Sequence, residues 1–546
     1  MSQHTVRQAD SSTQGRRRSR PGLVAFLVSF VSFCLLGGSW AMANPLMSLP
    51  DEPAHTIHAA AVVRGEWSGT PTGEGGWTRV EVPAYIAQAH DLPCFAFRNA
   101  ESAQCQALVS DDDSPRSVTT SAGSYDPVYY AFVGLPSLVL DGKASYYGMR
   151  GFSVILVSAF LALAASALVQ LRSRSFALLG LAVAVTPKVL FLAAGVNPNG
   201  LEVASAVALF AWLALLASRW REDGVPASRV AAVAVSAVVL ANTRSISPLW
   251  VLIIAVATLF DLPLLRRLLH SRAFWAGSVV IALGAAFCVA WNLWTASLSV
   301  STQSAGAGTS FGMASRTMAF LTLENLTGYI GIFGWQEVPA PFTTVAVWGG
   351  LMIALVVGGW FFGRGRAKRT VVLLTVAFLL LPPLLQGYAA EDYGYIWQAR
   401  YLLAILCPLV IAGGIALDEA FPRALSGAPA RRLVVFVVVL LVVGQFHTFV
   451  WNLQRYVLGM PDGWSRMFTD PEWLPPAGWY VWAVALLAGA VLGSVALLRA
   501  VLARPVEVPG SRVDDDQDDD RSTRSVEQGP LGAPQAGRSV GDVAPR

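Results

Sequence analysis

Asp51 and Glu52 stand side by side in the run Leu49-Pro50-Asp51-Glu52-Pro53-Ala54-His55, a few residues beyond an uncharged stretch that ends at Ala43. Two carboxylates beside an imidazole are groups that accept and position protons. The bracketing prolines restrict the backbone, and a helix is expected to start near Pro53 and continue from Ala54 to Val63. Neighbouring side chains on such a turn point in different directions, so Asp51 and Glu52 need not share a task. Asp51 and His55 are four apart and can face one site, which His58 can share. The plainer account is that both acids simply complement the dipole of the helix start.

Cations and polar caps elsewhere offer partners. Arg400 opens a long apolar run, where it can anchor the chain at a membrane interface or present two donors to an anion. Arg244 lies beside Asn242 and Thr243 at a similar turn, with helix packing or snorkelling as the alternative. Lys188 lies inside an apolar segment, where an ionisable group marks function unless its stem reaches the surface. Asn197, Asn199 and Glu202 sit at a helix start, where capping accounts for Asn199 and Glu202. Glu391 and Asp392 precede Arg400, and a salt bridge to it is a simpler account than metal coordination alongside Asp51. Asp111-Asp112-Asp113 reads as solvated loop. Trp464, Trp473, Trp479 and Trp482 read as an aromatic belt, with sugar stacking by one of them as the alternative. Cys94 and Cys105 can bridge if their loop meets oxidising conditions, whereas Cys34, Cys288 and Cys407 show no zinc-site spacing.

The elements that must position these residues are membrane helices. Hydrophobic residues form 54% of the 546-residue chain and charged residues 14%, a balance suited to a bilayer rather than to water. After the basic run Arg16-Arg17-Arg18-Ser19-Arg20, the stretch from Gly22 to Ala43 carries no charge. It reads as an uncleaved first helix, with a signal peptide cut at Ala41-Met42-Ala43 as the alternative. Further spans are expected near 150–170, 175–194, 201–218, 230–247, 248–262, 274–296, 343–362, 370–387, 399–417, 433–451 and 479–498. Arginine-rich connections alternate with poorer ones, which puts both termini in the cytoplasm of a multi-pass inner-membrane (plasma-membrane) protein. Residues 1–20 are then a cytoplasmic tail, 21–500 the transmembrane domain, and 44–148 a large first extracytoplasmic loop. Its Tyr125–Leu138 portion is expected at the lipid headgroups. Residues 501–546, with six aspartates between Asp514 and Asp520, read as a disordered cytoplasmic tail. A net charge of +4, spread in short clusters, argues against a nucleic-acid partner. No internal repeat supports an inverted-repeat transporter.

Several short motifs carry a resemblance: Asp51-Glu52-Pro53-Ala54-His55 followed by Gly65-Glu66-Trp67, Tyr129-Tyr130 leading to Gly134-Leu135-Pro136, Asn197-Pro198-Asn199-Gly200, and Gln398-Ala399-Arg400-Tyr401-Leu402-Leu403. Over about residues 21 to 500 the chain resembles an actinobacterial membrane family catalogued as domain of unknown function 2142. That family is in turn similar to C-type glycosyltransferases (GT-C), which take sugars from polyprenyl-phosphate carriers. The resemblance implies an all-α polytopic GT-C-like bundle of about twelve transmembrane helices. It implies transfer of a hexose or pentose from a polyprenyl-phosphate donor to a cell-envelope glycan, lipid or protein. Asp51 would be the base, with Glu52 positioning or assisting a metal and His55 a neighbouring contact. Lys188, Arg244, Arg400, Tyr401, Asn197 and Asn199 would serve the substrate and its phosphate. A divalent cation, Mg or Mn, is allowed without a nameable ligand set. A transporter or flippase of envelope precursors, or a non-catalytic assembly protein, is the alternative.

Overall fold

The computed structural model describes residues 21–73, 75–297, 304–425, 427–460 and 463–502. The expected tails over 1–20 and beyond 502 lie outside the described residues. Helix α1 (Pro21–Ala43) leads into a first-loop segment made of α2 (Glu52–Val62), strands β1 (Thr70–Pro71) and β2 (Thr78–Pro83), α3 (Ala84–Ala87), β3 (Pro115–Thr120) and α4 (Pro127–Val133). The three strands form an antiparallel sheet in the order β1-β2-β3, with Thr78 opposite Thr120 and Pro83 opposite Pro115. Thr120 at the end of β3 donates its hydroxyl to Ala54 O at 2.8 Å, which ties the sheet to α2. Every side chain of α2 is buried. Its alanine-rich sequence lets it lie close beneath the sheet and α4.

The bundle follows as α5 (Gly142–Leu168), α6 (Ser175–Ala184), α7 (Pro187–Ala193), α8 (Pro198–Asp223), α9 (Ala227–Ala241), α10 (Ser247–Leu259), α11 (Leu262–Leu269) and α12 (Arg272–Thr295). After it come α13 (Phe311–Glu324), α14 (Leu326–Ile330), a hairpin of β4 (Ile332–Phe333) and β5 (Val338–Pro339), α15 (Phe342–Phe362), α16 (Gly365–Tyr393), α17 (Leu403–Ala420), α18 (Ala428–Leu458), α19 (Arg466–Thr469) and α20 (Trp479–Leu502). Among the described residues nine helices are long and apolar enough to cross a membrane. The bent pairs α6–α7 (61°) and α10–α11 (112°) would bring the number to 11, and α9 is a shorter apolar helix. Each expected span thus coincides with a helix, while the number of crossings stays between those bounds. Helices α8 and α17 form the centre, and α1, α12 and α20 the rim.

The connection near 297–342 contains α13, which packs along α16; Ser315 donates its hydroxyl to Pro383 O at 2.9 Å. Gly387 permits that approach, since a Cβ there would fall 2.1 Å from Ser315 Oγ. The aromatic segment Tyr125–Leu138 is two-sided: Tyr129 and Tyr130 are fully buried where α4 packs on α2, while Val128, Leu135 and Leu138 are exposed. Cys94 and Cys105 are joined by a disulfide with Cα atoms 6.0 Å apart. The loop it closes is held by buried Arg455 at the end of α18, which donates to Phe95 O and Arg98 O, both at 3.0 Å, and to Glu101 O.

Candidate active site

Asp51 lies in the left-handed region, φ 66°, immediately before α2. Non-glycine residues reach that region at a cost, least for Asp and Asn. The turn is tied down by Glu52 N donating to Leu49 O and by Asn197 Nδ2 donating to Pro50 O at 3.1 Å. The Asp51 side chain makes no capping bond to the helix. Oδ2 instead meets Arg400 Nη2 at 2.5 Å. The Asp51 side chain is 48% exposed and that of Arg400 4%, so a buried cation reaches out to a carboxylate at the rim. Arg400 Nε and Nη1 are buried without a hydrogen-bond partner.

Glu52 faces the other way. Its Oε1 and Oε2 accept from Arg150 Nε and Nη2 at 2.7 and 2.8 Å, and also from Val196 N and Leu49 N. Arg150 uses its remaining donors on Ala41 O, Asn44 O and Pro45 O. All five guanidinium N–H groups are therefore satisfied. The pair joins the end of α1, the start of α2, α5 and the turn before α8. Gly195 admits it closely: a Cβ there would sit 3.0 Å from Glu52 Oε1.

Tyr401 follows Arg400 and lies between two cations. The Arg400 guanidinium carbon is 5.4 Å from its ring centroid and that of Arg244 4.3 Å. Arg244 Nη1 donates to Asn199 Oδ1 at 3.0 Å, lies 3.8 Å from Glu202 Oε2, and the Tyr125 side chain bonds the same guanidinium. Glu202 in turn accepts from Ser247 Oγ at 2.7 Å and Trp250 Nε1 at 3.0 Å. Asn197 caps α8 by accepting from Asn199 N at 3.0 Å. One chain of contacts therefore runs from Pro50 through Asn197, Asn199 and Arg244 to Tyr401 and Arg400.

His55 is buried, and its Nδ1 lies 2.7 Å from Tyr130 OH. Burial pushes its pKa down to about 3, against the pull of Asp51 and with the push of Arg400. His58 is likewise lowered by burial to about 4, with Nε2 3.3 Å from Tyr125 O. Both imidazoles are neutral near pH 7. For Asp51, burial raises the carboxyl pKa, but Arg400, His55 and Arg244 together outweigh it and hold it below the usual range.

Of the sequence candidates, Asp51, Arg400, Tyr401, Arg244, Asn199 and Asn197 come together. Lys188 is buried at the start of α7, donating to Ile332 O and lying 5.2 Å from the Phe191 ring centroid. The expected ion pair of Glu391 or Asp392 with Arg400 does not form among the described residues, because Arg400 turns to Asp51. No group of three His, Cys, Asp or Glu side chains that could hold a metal is found among those residues. Sequence reasoning missed Arg150, Tyr125 and Tyr130. Arg150 carried a signal, being a charge near the start of an apolar helix. Tyr130 stood only in a family motif and Tyr125 only in the headgroup segment; neither had a site role until the fold of α4 onto α2 brought them in.

A family model described as "Predicted membrane protein (DUF2142)" matches residues 34–409, a range that includes every member of this cluster. Among curated proteins nothing matches. Solved structures that resemble the chain include ArnT from Cupriavidus metallidurans in the apo state, at 14% identity over 88% of this chain and 78% of that one, with a TM-score of 0.43. The structure of ArnT from that organism bound to undecaprenyl phosphate gives 13%, 88%, 76% and 0.39. The likeness is loose and fixes no residue's role.

Proposed function

Since the chain belongs to the DUF2142 family of membrane proteins, we propose that it is a glycosyltransferase that moves a sugar from a polyprenyl-phosphate donor to a cell-envelope acceptor on the extracytoplasmic face. One observation carries this reading: a half-exposed, strained Asp51 paired with a buried Arg400 whose Nε and Nη1 have no hydrogen-bond partner. An exposed carboxylate ionised at neutral pH is the group that can take a hydroxyl proton. A guanidinium with spare N–H groups is the group that can take phosphate oxygens.

In the reaction the acceptor hydroxyl passes its proton to Asp51 while its oxygen bonds the anomeric carbon. The bond from that carbon to the phosphate oxygen breaks, and the electron pair leaves on the phosphate. Arg400 and Arg244, held apart by the Tyr401 ring, stabilise that charge. As Arg400 turns towards phosphate it relaxes its hold on Asp51, and the carboxylate becomes more basic when a base is needed. Glu52 and neutral His55 position this turn rather than exchange protons.

The test is purified protein in lipid vesicles with a panel of polyprenyl-phosphate sugars, following sugar transfer and release of the free carrier. Asp51→Asn should abolish both. Transfer unchanged by the substitution would overturn the assignment of the base. Movement of the donor across the bilayer without bond cleavage would favour a transporter.

A further inference from the structure

At the end of the bundle away from Asp51, the first turns of α18 and the last residue of α20 border a shallow, open groove of about 530 Å³, lined by Arg431, Arg432, Val435, Phe436, Val439 and Leu502. Its walls are apolar apart from the two arginines. The side chains Val435, Phe436 and Val439 are all exposed, at 41%, 59% and 50%. Their sequence spacing puts Val435 and Val439 on one helix face. The arginines sit one helical turn from Phe436 and Val435, at the mouth of the groove.

Part of the charge at this end is matched. Arg172 and Arg219 pair with Glu222, Arg229 with Asp223, and Arg369 with Asp261. Arg174 donates to Val169 O and Ala500 O, which fixes the end of α20. Among the described residues Arg431 and Arg432 enter no ion pair. Arg431 and Arg432 are the fourth and fifth residues of the 31-residue helix α18, next to the end where the free N–H groups and dipole add positive potential.

We propose that this groove is a site for an anionic phospholipid, whose phosphate headgroup meets Arg431 and Arg432 while an acyl chain lies along Phe436, Val435 and Val439. Basic pockets between membrane helices at headgroup level bind such lipids, and each arginine adds to the attraction. A zwitterionic lipid offers the same chain without the net charge. The site is separate from the Asp51 cluster and stands whether or not the protein transfers sugars.

The experiment is native mass spectrometry of the full chain. It is released from mixed micelles containing phosphatidylglycerol and phosphatidylcholine of equal chain length, with soluble glycerol 1-phosphate as a competitor. The wild type should retain phosphatidylglycerol roughly tenfold over phosphatidylcholine, and glycerol 1-phosphate should not displace it. Arg431→Gln with Arg432→Gln should erase the preference, and the double lysine variant should keep part of it. Val439→Trp, which fills the groove and leaves both charges, should lower retention of both lipids. Equal retention by the wild type, a preference that survives the double Gln variant, or displacement by glycerol 1-phosphate would each overturn the proposal. Helical content by circular dichroism confirms that the variants fold.

Discussion

Asp51 and Glu52 are adjacent, carry the same charge and each meet one arginine, yet the two pairs are built for opposite ends. The Glu52–Arg150 pair is almost wholly buried, 1% and 2% exposed, and every donor and acceptor in it is used. The Asp51–Arg400 pair is lopsided, with its carboxylate at the rim, its arginine inside, and donors to spare. A saturated buried pair resists change, because any alternative leaves a charge unpaired. An unsaturated pair with its carboxylate at the rim can exchange that carboxylate for another anion that reaches the arginine from outside. A one-residue step along the chain, from a left-handed turn into a helix, therefore separates a clamp from a reactive group.

Glu52→Gln strikes the clamp. It leaves Arg150 charged and buried without its counterion, and about 3–5 kcal/mol of stability should be lost. Thermal unfolding in detergent or lipid measures it. A loss under about 1 kcal/mol would mean that water reaches the pair and that the contrast drawn here is false.

Asp51→Asn strikes the other pair, and the two readouts should exchange. The Asp51 side chain is half-exposed but Arg400 is left buried and charged, facing a rim that water and the remaining amide can reach, so the loss should be smaller than for Glu52→Gln, about 1–3 kcal/mol. The proposed transfer should fall by roughly 10²–10⁴-fold, the usual share of a general base. An Asp51→Asn protein that unfolds as readily as Glu52→Gln, with its activity intact, would reverse the assignment.

Acid should separate the two histidines near Asp51 from the rest. Their folded pKa values, about 3 for His55 and about 4 for His58, lie below the ordinary 6.5. Between those limits the unfolded chain binds protons that the folded one refuses, so stability rises with pH. Their contribution is complete above pH 6.5 and declines as pH falls towards 4. Replacing both with Gln should flatten the slope of Tm against pH in that window. An unaltered slope in the double variant would show that the α2–α4 interface is wetter than its packing implies.

The contrast was only half legible in the sequence. Apolar runs fix the helices because a bilayer admits little else, so positions such as α5, α8 and α18 follow from hydropathy. That Asp51 and Glu52 diverge was legible too, since adjacent positions at a helix start cannot point the same way. Which arginine each would meet was not. Arg150 and Arg400 lie about 100 and 350 residues downstream, and pairing over such distances is set by helix packing that no local pattern encodes. Glu391 and Asp392 looked like the partners of Arg400 because they are near in sequence. Helix α16 runs on to Tyr393 and carries them to an exposed edge instead. Tyr130 looked like a headgroup aromatic for the same reason: hydropathy does not distinguish lipid from the underside of α2.

The smallest effect isolates the turn itself. Asp51 holds φ 66°, a conformation that costs an ordinary L-residue roughly 1–2 kcal/mol and glycine almost nothing. Asp51→Gly and Asp51→Ala remove the same carboxylate and leave the same Arg400 behind, so the lost ion pair cancels between them. What remains is the backbone. The Gly variant should be the more stable by about 1 kcal/mol, less the entropy that glycine loses on folding, and both should be equally inactive in transfer. If Ala unfolds no more readily than Gly, the turn is not strained. The poise of the Asp51 carboxylate at the rim would then come from Arg400 alone rather than from the backbone that α1, α2 and Asn197 hold in place.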